Sequence, residues 1–260
     1  MRSHVEELIG FGRRVLGRFV EVEGAQQATL MAAQAFTSLV PFLVVVAAFG
    51  PGEGDIADKL VERFDLHGRS EDNVRALFAS GAETRSAVPW VAVGILLVSA
   101  MSFARVTQKM FEQAYKLPPS GIAGAWRGIV WLAGFTVLAS IAGPLREELS
   151  DVGGVALAVC ASSVSGFVLW LWTPSILLAH MDWRSAAPGA LVSGLLTGIA
   201  TVGSAIYIPI AMEWSSDRYG LIGVAFTLQS WLLAMGFVVV VGAVVGAIVV
   251  SERLACRASQ

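Results

Sequence analysis

The sequence predicts an all-α polytopic membrane protein with six transmembrane helices, an N-terminal amphipathic helix and a short helical extracytoplasmic cap. Three observations predict it. The 260 residues are 55% hydrophobic and only 15% charged, against roughly 25% charged in a soluble domain. Six apolar blocks, at about 28–50, 88–104, 126–143, 153–179, 186–212 and 219–250, reach or approach the ~20 residues that cross a hydrocarbon core. The blocks are continuous, whereas an outer-membrane barrel needs alternating segments of about 10 residues. The expected organisation is a cytoplasmic interfacial helix at 1–24, a membrane domain at 25–251 and a cytoplasmic tail at 252–260.

In residues 5–20, Val5, Leu8, Ile9, Val15, Leu16 and Phe19 recur at helical spacing, with Arg13, Arg14 and Arg18 mostly elsewhere. That pattern fits a helix at the membrane surface and equally a packing helix under the bundle. Residues 1–24 hold eight charges and no continuous apolar core, so they do not resemble a cleavable signal peptide. The first span opens as MAAQAFTSLVPF. Its Gln34, Thr37, Ser38 and Pro41 are costly at membrane depth unless they face protein or water. In the 51–87 connection, Ile56, Leu60 and Phe64 form one stripe and Val74, Leu77 and Phe78 another, parted near Gly68. Two short cap helices are expected there. The fourth and fifth spans are joined only by His180–Ser185, a tight hairpin. The sixth exceeds the bilayer thickness and should tilt or protrude. Trp90, Trp126, Trp183, Trp214 and Tyr219 fall near span ends, as an aromatic belt does. Trp170, Trp172 and Trp231 lie deeper.

Six spans place both termini on one side. That side carries eleven of the basic residues and the other carries seven, so the positive-inside rule puts both termini in the cytoplasm. The location expected is the bacterial inner membrane.

Uncharged polar residues recur at depth: Ser162, Ser163 and Ser165 in the fourth span, Ser193 and Tyr207 in the fifth, Thr227 in the sixth. Ser193, Thr197, Thr201 and Ser204 share one helical face. The candidate cavity lining is Gln34, Thr37, Ser38, Pro41, Thr197, Thr201, Ser204, Gln229 and Ser230, with Pro174 and Pro209 as candidate hinges. Two readings stand: a neutral polar cavity, or hydroxyls bonded back to their own helices. Gly194 with Gly198, and Gly242 with Gly246, have the spacing of close helix approach, inside the bundle or at a dimer seam.

Several chemistries find no residues. No ionisable group sits at the centre of a span, which argues against a proton relay. HExxH, CxxC, a Walker loop and GxSxG are absent from the sequence, so no enzyme activity, metal or cofactor is expected. Cys160 and Cys256 make no disulfide framework. A net charge of −2 gives no basic excess for nucleic acid.

The run AQAFTSLVPFLVVVAAF (33–49), the segment SAMSFARVTQKMFEQAYKLPP (99–119), the hairpin HMDWRSAAPGALVSGLL (180–196) and the last span YGLIGVAFTLQSWLLAMGFVVVVGAVVGA (219–247) together resemble, in order and spacing, the YihY/BrkB family of bacterial inner-membrane proteins. The resemblance implies six membrane helices. It implies a link to serum resistance and to export of envelope lipid or lipopolysaccharide, and the older ribonuclease BN label of that family is regarded as mistaken. Many members place an acid in a GAELNA-like sequence at the end of the last span. Here the residues are Gly246-Ala247-Ile248-Val249-Val250, with Glu252 further on, so a role for that acid does not carry over.

Two functions follow as expectations. The first is a transporter or exporter of an amphiphilic envelope component such as a lipid. The alternative is a non-transporting scaffold for envelope-assembly partners. Expected partners are membrane lipids and an amphiphilic substrate, with a homo-oligomer also open.

Overall fold

In the computed structural model the described residues are 2–49, 89–121, 125–178 and 181–258, with Asp58, Val61, Gly68, Glu71, Asp72 and Arg75 from the connection between. All regular structure among them is helical: α1 (Arg2–Glu21), α2 (Gly24–Phe49), α3 (Pro89–Ala114), α4 (Ala125–Leu177), α5 (Trp183–Tyr219) and α6 (Leu221–Ala258). Four stretches are long and apolar enough to cross a membrane: Trp126–Gly143, Gly154–Leu177, Trp183–Tyr219 and Ile222–Arg253. Helices α2 and α3 have 26 residues each, about 39 Å at ~1.5 Å per residue. The two expected cap helices lie outside the described residues. Of that connection, Arg75 pairs with Glu71 at 3.0 Å and with Asp58.

The chain forms two compact units. One holds 1–31, 104–201 and 234–260, and the other 32–103 and 202–233.

In the first unit, α4 folds back on itself. Gly154 has φ 63 and ψ −160, a region that essentially only glycine occupies. The halves on either side run antiparallel. Trp131 Nε1 donates to Thr173 Oγ1 at 3.1 Å, and Gly134 leaves room for the Trp172 indole, which a Cβ would meet at 2.6 Å. Trp131 is 1% and Thr173 0% exposed, so their bond is shielded from any competitor. Thr173→Val keeps the shape and removes that acceptor. It should cost about 1–3 kcal/mol, read as a lower midpoint of thermal unfolding in detergent.

Both glycine pairs are spent within this unit. A Cβ on Gly194 would stand 2.7 Å from Phe167 N and 2.8 Å from Ser163 O, and one on Gly198 2.0 Å from Ser163 Oγ. These two glycines seat α5 on the second half of α4. A Cβ on Gly242 would stand 1.7 Å from Ser193 Oγ, and one on Gly246 2.3 Å from Tyr115 Oη, so α6 seats on the start of α5 and the end of α3.

Helix α1 is fixed by charge at the end of α3. That end is a Schellman turn: Lys116, at φ 53, donates to Gln113 O at 3.3 Å, and Leu117 N to Glu112 O at 2.8 Å. Arg18 adds its guanidinium to Ala114 O at 2.9 Å, where a cation suits the negative end of the helix. Hydrogen bonds from Arg18 and then Lys116 hold the Glu21 carboxyl below its ordinary pKa. Phe19 stacks on Phe237 at 6.0 Å. Arg14 pairs with Glu252 near the end of α6 at 3.2 Å, an exposed ion pair between the two helices. Ile9, Leu16 and Val20 stay exposed on α1.

In the second unit, the α5–α6 hairpin turns on Gly220 (φ 59), whose N–H donates to Ser216 O at 2.8 Å. Ile208, Met212 and Val224 form its buried core, with Val61, Leu228 and Trp231 packed against it.

Candidate functional site

The fold-back of α4 and the glycine-seated crossing with α5 enclose a groove of about 250 Å³ in the first unit. Leu138, Ala139, Ala142 and Gly143 form one wall, from the first half of α4. Ser162, Ser165, Gly166 and Leu169, from the second half, and Thr197 and Thr201, from α5, complete it. No ionisable side chain contributes to this lining. Thr197 Oγ1 donates to Ser193 O at 2.7 Å and accepts from Trp170 Nε1 at 3.2 Å. Thr201 Oγ1 donates to Thr197 O at 2.8 Å. Their hydrogens are committed. Ser162 Oγ is different: it is buried and has no hydrogen-bond partner. A buried hydroxyl left unpaired costs about 1–3 kcal/mol. The groove therefore combines this unpaired hydroxyl with a neutral, mostly apolar lining, which matches a mildly polar, uncharged group.

The second unit has its own groove, about 290 Å³, between the end of α5 and the start of α6. Tyr207, Trp214 and Tyr219 stand on α5, and Ile222, Phe226 and Ser230 on α6. Its floor is the buried Ser215–Thr227 hydroxyl pair, 2.8 Å apart. Gly223 brings the helices together there, since a Cβ would lie 2.2 Å from Ser215 O.

The residues singled out from the sequence distribute as follows. Thr197 and Thr201 line the first groove and Ser230 the second, with Ser230 Oγ bonded to Phe226 O at 2.8 Å. Thr37 and Ser38 bond back to Ala33 O and Gln34 O, each at 2.8 Å. Gln34 Nε2 reaches Ser99 O at 3.3 Å. Pro41 lies within α2 and Pro209 within α5, and neither interrupts its helix. Ser204 is half-buried on α5. Gln229 Oε1 is buried without a partner, as are Trp172 Nε1 and Trp231 Nε1. Pro174 is fully buried in the last turn of α4.

Ser162 was visible in the sequence as one polar residue among several and only the fold-back sets it apart. The Ser215–Thr227 pair had a faint signal: two hydroxyls that flank Gly220 in sequence. No cluster of three or more His, Cys, Asp or Glu able to hold a metal occurs among the described residues.

A chain of long apolar helices folded around uncharged grooves is a multi-pass helical membrane protein. A family model described as virulence factor BrkB matches residues 15–259. The chain belongs to this family over nearly its whole length, as the motifs of the spans implied. No curated protein and no solved structure gives a significant match.

Proposed function

We propose that the protein moves or accommodates an amphiphilic envelope component, most simply a lipid, with no catalytic step. The unpartnered Ser162 hydroxyl in a neutral groove at membrane depth carries this reading. The bland account of such a hydroxyl is a packing defect, and the two accounts separate cleanly. Ser162→Ala removes a buried unsatisfied group, so on either account it should raise the unfolding midpoint, by about 2–4 °C per kcal/mol recovered. Under a transport role it should also slow lipid movement at least fivefold. The assay is dequenching or reduction of labelled lipids in proteoliposomes. Wild-type protein that moves no lipid class faster than empty liposomes do sinks the reading.

The same proposal holds six spans, with α2 and α3 joining the four most apolar stretches, both termini in the cytoplasm and the inner membrane as the location. Cysteine labelling from either side at positions 3 and 258 tests the orientation. A non-transporting scaffold is the second reading. It is favoured by the many hydroxyls that bond to their own helices, Thr37, Ser38, Thr136 and Ser140 among them. A scaffold predicts Ser162→Ala to be more stable and functionally silent.

A further inference from the structure

We propose that the groove at the α5–α6 turn holds one zwitterionic phospholipid, its acyl chain between the two helices and its headgroup on Arg218. Four features carry the inference. The first is length. From Tyr219 down to Tyr207 the groove covers about 18 Å at ~1.5 Å per residue, close to the ~15 Å of one leaflet, half of a ~30 Å hydrocarbon core. The second is lining. Tyr207, Trp214, Ile222 and Phe226 line the groove and are 58–69% exposed, so a broad aromatic and aliphatic surface faces outward with only the floor buried. The third is the floor itself. Ser215 donates to Ala211 O or to Thr227, and Thr227 has Gly223 O at 3.1 Å. These hydroxyl hydrogens have acceptors already, so the floor does not compete for a ligand's polar groups and suits a hydrocarbon chain.

The fourth feature is charge at the membrane end. The Arg218 guanidinium lies 4.4 Å over the Trp214 ring, which fixes it on the groove wall. Glu213 and Asp217 are exposed on the same last turns, outside the groove's lining. One cation and two carboxylates together repel a purely anionic headgroup more than they attract it. A headgroup bearing both a phosphate and an ammonium suits this end better: phosphate on Arg218, with the ammonium drawn outward by the negative charge of Glu213 and Asp217 beside the groove. Phosphatidylethanolamine has that chemistry. The inference is separate from transport, since a lipid held here without moving is a structural lipid.

The test is native mass spectrometry of the full chain, delipidated in detergent and titrated with phosphatidylethanolamine or phosphatidylglycerol of matched chains. One phosphatidylethanolamine should survive activation that strips the rest, with at least fivefold preference over phosphatidylglycerol. Arg218→Gln should lower its retention at least fivefold. The paired change Glu213→Gln with Asp217→Asn should erase or reverse the preference. Phe226→Leu, which keeps the bulk, should retain binding, and Phe226→Ala should weaken it. Circular dichroism of each variant checks folding. Equal retention of the two lipids, or no effect of Arg218→Gln in a folded protein, means loosely associated annular lipid only and overturns the proposal.

Discussion

Gly194→Ala should lower the thermal unfolding midpoint. The methyl would meet Phe167 N at 2.7 Å, Ser163 O at 2.8 Å and Phe167 Cα at 2.9 Å. All three are backbone atoms of α4, so no side chain can swing away and the helices must separate. Overpacking costs about 1–3 kcal/mol, occasionally more, and against unyielding backbone it should fall in the upper part of that range, above the ~1 kcal/mol that alanine gains over glycine in a helix. At about 2–4 °C per kcal/mol the fall is measurable in detergent. Gly203→Ala in the same helix, with nothing within 4 Å, should be neutral or stabilising. Gly198→Ala provides a sharper contrast. Its nearest obstacle is the Ser163 side-chain oxygen at 2.0 Å, so Ser163→Ala should rescue much of the loss at Gly198. The same Ser163→Ala should do little for Gly194→Ala. Equal rescue of both would show that the crossing is looser than these distances require.

Gly154→Ala should destabilise through the backbone alone. Nothing lies within 4 Å of the site of the added methyl. The φ of 63 with ψ of −160 is nevertheless a conformation that costs other residues about 1–3 kcal/mol. Asparagine, which rescues left-handed helix caps, should fail here because ψ lies far from the left-handed helical value near +47°. Gly143→Ala, at an open helical position, should go the other way and stabilise. The measurement is again the unfolding midpoint, now for the three variants together. A Gly154→Ala protein as stable as the parent would mean that the fold-back does not depend on this backbone conformation.

Much of the fold was legible because lipid imposes a one-dimensional rule. A segment must be about 20 apolar residues long to cross, and every backbone group must bond within it. Blocks such as 186–212 and 219–250 announce helices without any knowledge of neighbours. The short α4–α5 hairpin was legible for the same reason. Breaks were less so. Proline drew attention at 174 and 209, yet a proline ring is compatible with helical φ and costs a single donor. The sharp reversal falls instead at Gly154, one of 27 glycines in the chain, whose local signals are its pairing with Gly153 and its place at the start of the fourth apolar block.

The candidate sites divide along the same line. Apolar length, the scarcity of charge, the amphipathic start and the family motifs are properties of the chain read in order, so the sequence alone determined a helical membrane protein of this family with neutral polar residues at depth. It could not say which hydroxyls were spent. Those of Thr37 and Ser38 are satisfied one turn back along their own helix, a choice invisible in composition. Ser162 is left open because α4 doubles back at Gly154 and the α5 glycines close the crossing above it. Likewise, Gly194, Gly198, Gly242 and Gly246 could have served a dimer seam. Tertiary structure decided that they pack within one unit, because close approach depends on which backbone lies opposite, and that is set only when distant segments meet.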